Sequence, residues 1–151
     1  SRLESILADD PLRHVVLAFR TDTAGLDSAQ SLVSLANDIA ATGRQVYLLL
    51  HQPVLPKDIR FYISASRFAE ADQNMIAGRK ADWLQANADI YAAVAQLSPD
   101  VTLIDLAEVF CDATDCHAMR DGMALYFDGH HMSVSGARLA AARILQASQT
   151  R

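Results

Sequence analysis

The chain has 151 residues, 51% of them apolar and 21% charged, and Lys plus Arg at 13 against Asp plus Glu at 18 leaves a net charge of −5. That length supports one domain with its own core, and the composition excludes a disordered segment. The mild acidity excludes an electrostatic nucleic-acid or anionic-membrane surface, no apolar run approaches the ~18 residues of a membrane span, and no signal-peptide pattern opens the chain.

A short amphipathic turn, Leu3 to Leu7, comes first, and His14–Phe19 (HVVLAF) then reads as a buried strand. A helix follows with Ala29, Leu32, Val33, Ala36, Ile39 and Ala40 on one face. Asp27-x-x-Gln30 suits its capping box and Gly43 its C-terminal stop. Gln45–Leu50 (QVYLLL) reads as the second strand, and a polar loop is expected from His51 to about Ser66, carrying Ser64 and Ser66. One long helix should come next, its later part repeating Trp83, Asn87, Ile90, Tyr91, Val94 and Leu97 until Ser98-Pro99-Asp100 ends it. Trp83 and Tyr91 then belong to the core rather than to a sugar platform. Val101–Ile104 is the third strand, ending at Asp105, and a final helix with Ala137, Ala140, Ala141, Ile144 and Leu145 is capped by Ser133.

Strands alternating with helices predict an α/β fold, a three-layer α/β/α flavodoxin-like sandwich around a mostly parallel sheet. Ligands gather beyond the carboxyl ends of such strands. That singles out Arg20–Asp22, His51-Gln52 and Asp105. No repeat or linker divides residues 1–151, so one domain is expected.

The residues with the clearest chemistry are Asp128 and His131, three positions apart before the last helix. A carboxylate so placed fixes an imidazole's tautomer and stabilises the imidazolium, while the other ring nitrogen faces a nucleophile. The bland alternative is a turn whose Asp caps the helix and whose His is solvated. His130 should point away from the site. Cys111 and Cys116 are the only cysteines, separated by Asp-Ala-Thr-Asp. A disulfide across that turn would contribute roughly 2 kcal/mol and imply an oxidising compartment; the alternative is two reduced thiols. A zinc site drawing on Cys111, Cys116, His117, His130 and His131 is a further alternative, although the adjacent histidines do not match the usual ligand spacings. We expect the disulfide, no metal and no cofactor.

The pair Cys111…Cys116, followed by Leu125-Tyr126-x-Asp128-x-x-His131-Met-Ser133-x-x-Gly136-Ala137, resembles the tail of an SGNH-type (GDSL-like) hydrolase domain. It is most similar to the version fused behind the membrane acyltransferase 3 family. Val15 to Arg20 and Gln45 to Pro53 resemble two upstream strands of that domain. The resemblance implies that Asp128 and His131 are two of three catalytic groups; Arg20 is a candidate to contact a substrate oxygen or hold the oxyanion-side loop, with a structural salt bridge as the alternative. The resemblance further implies an acyl donor, a carbohydrate acceptor, and a periplasmic or extracytoplasmic location, with membrane attachment only through a fused transmembrane domain. O-acylation of a cell-surface polysaccharide, most often acetylation, is the implied reaction. Transfer to water would make a carbohydrate esterase, and loss of catalysis a carbohydrate-binding or interaction module.

The family's Gly-Asp-Ser nucleophile turn has no counterpart, since the six glycines precede Leu26, Arg44, Arg79, Met123, His130 and Ala137. A Gly-x-Asn-Asp block is also absent, and Thr21 stands where an aromatic residue often follows the arginine. By resemblance the chain is the C-terminal portion of a larger domain, and alone it should be inactive. The strand missing by that comparison would lie beside His14–Phe19. An unpaired apolar edge is therefore expected there, met by a partner, by self-association or by a rearranged sheet.

Overall fold

The computed structural model describes residues 13–20, 25–67 and 74–149. Strand β1 (His14–Phe19), strand β2 (Gln45–Leu50) and strand β4 (Val101–Asp105) form a parallel sheet in the order β1-β2-β4. The central strand explains the layering. Val46, Leu48 and Leu50 face one way, Tyr47 and Leu49 the other, and all but the half-buried Leu49 are buried. A strand apolar at both parities must be covered on both faces.

Helix α1 (Leu26–Ala40) and helix α4 (Ala88–Val94) cover the Val46–Leu48–Leu50 face. The α1 stripe is mostly small, with Ala29, Val33, Ala36, Ile39 and Ala40 buried, which lets Ile90 and Ala93 of α4 approach closely. The opposite face packs Tyr47 and Ile104 against helix α2 (Ile59–Ser66), helix α5 (Ala107–Phe110) and helix α6 (Val134–Gln149). Truncating Leu48, which is fully buried, would cost about 2–5 kcal/mol.

Several expectations need correction. Asp27 and Gln30 form no capping box, because α1 starts one residue before Asp27 with Gly25 at its N-cap and no side-chain cap. Asp27 instead sits inside the first turn, where its charge meets the helix dipole. Gly43 does stop the helix, at φ +83°, a left-handed conformation that favours glycine. The expected loop to Ser66 ends at Asp58, whose carboxylate accepts from the Arg60 backbone N–H at 2.9 Å and caps α2. Ser64 and Ser66 therefore lie on a helix.

The single long helix after Ser66 is not formed. Strand β3 (Met75–Arg79) pairs antiparallel with strand β5 (Asp115–Arg120), which pairs with strand β6 (Met123–Ala124) in a second sheet. Helix α3 (Lys80–Ala86) follows, and Asn87 breaks it from α4 at φ −112°, ψ 22°. The Asn87 side chain donates to the Trp83 carbonyl at 2.9 Å, a local bond that competes with helix continuation.

Strand β1 is less buried than its sequence suggests. Val15 and Leu17 pack under α1, but Val16 is 52% and Phe19 48% exposed. The sheet is not rearranged, and among the described residues no strand pairs with the outer side of β1. The Leu3–Leu7 turn lies outside the described residues.

Candidate active site

The parallel register pairs Phe19 with Leu50 and Leu50 with Asp105, so Arg20, His51-Gln52 and Asp105 all lie at one end of the sheet. Asp105 is occupied structurally. It accepts from the Ala107 N–H and from the Tyr91 hydroxyl, each at 2.8 Å, and burial raises its pKa. The hydrogen bonds therefore hold α5 and α4 against the strand end.

The Asp-x-x-His segment reaches the same end as a tight hairpin. Tyr126 and Met132 form an antiparallel bridge, and the Phe127 N–H donates to the His131 carbonyl at 2.8 Å. Tyr126 points inward at 2% exposure, and its hydroxyl donates to the Pro53 carbonyl at 2.6 Å. Strand alternation puts Phe127 on the outer side, where its ring is 77% exposed. Ser133 caps helix α6, as expected. Its hydroxyl accepts from the Gly136 N–H at 3.1 Å and donates to the Ala124 carbonyl at 2.6 Å. Gly136 is required here, because any Cβ would collide with the Leu125 carbonyl oxygen.

Within the hairpin, one Asp128 oxygen accepts from the backbone N–H groups of His130 and His131, both at 2.8 Å. The other pairs with His131 Nδ1 at 2.7 Å. The bond from the His131 ring, then those from the two backbone donors, hold the Asp128 pKa well below the usual carboxylate range. An ionised carboxylate only accepts, so Nδ1 carries the proton and Nε2 is the basic nitrogen. The His131 side chain is 68% exposed, so that nitrogen is open to a reactant.

His130 does not point away. Its ring centroid lies 4.1 Å from that of His131, and its Nδ1 is 3.7 Å from Asp128. Its carbonyl accepts from the Gln52 side-chain amide at 2.6 Å, and the Gly129 carbonyl accepts from the Leu55 N–H at 2.8 Å. Together with Tyr126–Pro53, these bonds tie the hairpin to the exit of β2. Sequence reasoning marked Gln52 only as a strand-end position; its near-complete burial in a polar-looking loop is what distinguishes it. Arg20 is exposed at the exit of β1.

Cys111 and Cys116 are joined in a disulfide. The zinc set that needed them as thiolates is thereby broken up, and His117 is held instead by Asp112 at 2.9 Å. Asp128, His130 and His131 do present donor atoms within 4.8 Å of one another and are the residues that could hold a cation. Asp128 already accepts three hydrogen bonds, which fits an imidazole orienter better than a metal ligand.

The arrangement can accept a proton at one exposed nitrogen with a fixed counter-charge behind it. Comparison with known proteins adds the family context. The family model described as "SGNH domain (fused to AT3 domains)" matches residues 1–146. The periplasmic domain of a lipopolysaccharide acetyltransferase from Salmonella ser. Paratyphi A shares the fold, with a TM-score of 0.63 at 11% sequence identity. That match covers 89% of this chain and 56% of the other, so the chain spans little more than half the length of its structural neighbour. No curated protein matches.

Proposed function

The chain belongs to the SGNH domains fused to AT3 domains, and from that premise we propose that it works in extracytoplasmic acyl transfer, with Asp128 and His131 as orienter and base. The single observation that carries this reading is the 2.7 Å bond between Asp128 and His131 Nδ1, which leaves Nε2 exposed. The nucleophile is a serine from outside these 151 residues, which contain no Gly-Asp-Ser turn. His131 Nε2 takes the serine proton as the oxygen attacks the donor carbonyl, and returns it to the leaving group when the intermediate collapses to an acyl-enzyme. In the second half, His131 deprotonates an acceptor hydroxyl, that oxygen attacks the acyl carbon, and His131 returns the proton to the serine oxygen as the acyl–serine bond breaks. Arg20 stands at the strand end where a donor to the developing oxyanion is needed.

The acyl group is acetyl and the acceptor a cell-surface polysaccharide, a reading supported by the neighbour's description as a lipopolysaccharide acetyltransferase. The disulfide fits a periplasmic site, and membrane attachment comes through the fused AT3 domain; no described helix is long and apolar enough to cross a membrane. The outer side of β1, with which no described strand pairs, receives the strand that carries the serine.

The test is replacement of His131 by Ala in the source cells, followed by NMR of the purified surface polysaccharide. The O-acetyl signals present with the native protein should vanish. Unchanged acetylation would reject the reading. Acetyl-ester hydrolysis by the native protein that no added glycan can divert would make it an esterase.

A further inference from the structure

The loop that ties down the hairpin has a second side. A cavity of about 190 Å3 opens between Pro53 and Val54 at the β2 exit and Gly78, Arg79, Asp82 and Trp83 at the β3–α3 junction. Resting on the acyl-transfer reading above, we propose that this cavity is a subsite for one neutral pyranose ring of the acceptor glycan.

Size and lining choose the ligand class. Sites that engulf a drug-sized ligand run to ~300–1,000 Å3, so this one takes a single ring rather than a whole donor or cofactor. Trp83 lines the cavity and also packs against Ala107 and the Cys111–Cys116 disulfide, so its indole is held in place from behind. Trp83, expected in the core alone, is only half-buried, and a fixed aromatic surface of this kind suits the C–H face of a sugar ring. Arg79 and Asp82 are both exposed beside it, one able to donate to hydroxyls and the other to accept from them. Their opposite charges favour a neutral ring over an anionic one. Pro53, Val54, Pro56, Ala77 and Cys116 make the rest of the wall apolar, so it is the charged Arg79 and Asp82 beside Trp83 that favour a sugar ring over an acyl chain.

Gly78 supplies the remaining feature. It lies within a strand, where glycine weakens pairing and often marks close approach of a ligand, although the bulge beside it also contributes. A Cβ at Gly78 would meet nothing within 4 Å, so a side chain there enters open space without disturbing its neighbours. Pro53 directly follows Gln52, which carries the His130 carbonyl. The cavity and the base therefore share one loop, and a glycan of a few sugars engages both.

The experiment is saturation-transfer NMR with the methyl glycosides of glucose, galactose, mannose and rhamnose as probes. It is run on the native protein and on Gly78→Leu, Asp82→Ala and His131→Ala. At least one glycoside should bind in the millimolar range. Gly78→Leu should weaken it at least tenfold and Asp82→Ala severalfold, with circular dichroism unchanged, while His131→Ala leaves it intact. No transfer to any glycoside at tens of millimolar overturns the subsite, as does binding that survives both cavity substitutions. Binding intact in a protein that does not transfer acyl groups counts against the catalytic reading alone, and transfer without glycoside binding counts against the subsite alone.

Discussion

The Gln52 side-chain amide donates to the His130 backbone carbonyl at 2.6 Å across 78 residues of sequence. The bond joins the exit of the central strand to the peptide immediately before the base. It makes the position of His131 a property of the parallel sheet and not of the hairpin alone.

Gln52→Ala should therefore lower stability by about 1 kcal/mol, because a part-buried acceptor loses its donor. As a positioning residue, Gln52 should affect turnover more than substrate affinity, so kcat falls while KM changes little. The Asp128 titration midpoint should also move up toward the ordinary range as the hairpin loosens. Steady-state kinetics of the acyl-transfer reaction and NMR titration of the Asp128 carboxyl carbon check this. A variant with normal kcat and an unshifted midpoint would remove Gln52 from the site.

The acid side has a defined sign. The folded pKa of Asp128 lies below its unfolded value, so its contribution to stability is present above the unfolded carboxylate value of about 3.9 and disappears as pH falls through the lower folded value. The stability difference between wild type and Asp128→Asn should be constant from neutral pH to about 5 and close below about 4. Denaturant unfolding across that range measures it. A gap that persists at the lowest pH would mean that the hydrogen bonds to the ionised Asp128 carboxylate are not its source.

The Cys111–Cys116 disulfide closes a small loop that also backs Trp83. Reduction should cost roughly 2 kcal/mol and lower Tm by about 4–8 °C. Thermal unfolding with and without reductant reads the difference, and identical curves would assign the bridge no part in stability.

Among the described residues no strand pairs with the outer side of β1, so self-association of the 151-residue chain through that apolar strand is expected. Val16 is 52% exposed, so Val16→Lys adds an edge charge without disturbing the core. Sedimentation should show concentration-dependent oligomers in wild type and monomer in the variant. An unchanged distribution would place the contact elsewhere.

The parallel strands were legible because His14–Phe19, Gln45–Leu50 and Val101–Asp105 are short apolar runs bounded by turn residues. The dyad was legible because Asp128 and His131 are three residues apart, so their bond is local. What escaped depended on distant partners. Met75–Arg79 becomes a strand only by pairing with Asp115–Arg120, some 40 residues later, and its own pattern continues the helical one that follows. Asn87 breaks a helix through a side-chain bond that apolar periodicity does not register. Gln52 and Pro53 look like ordinary loop residues until the hairpin arrives over them, and His130 looks outward until its carbonyl is fixed by Gln52.

The most direct test of the base assignment is a double-mutant cycle on acyl-transfer turnover in the full-length protein, comparing His131→Ala, Asp128→Ala and the pair together. If the two side chains act as one unit, His131→Ala should lower kcat by on the order of 10²–10⁴, and adding Asp128→Ala to it should cost almost nothing more. Turnover that survives His131→Ala, or losses that simply multiply, would contradict it.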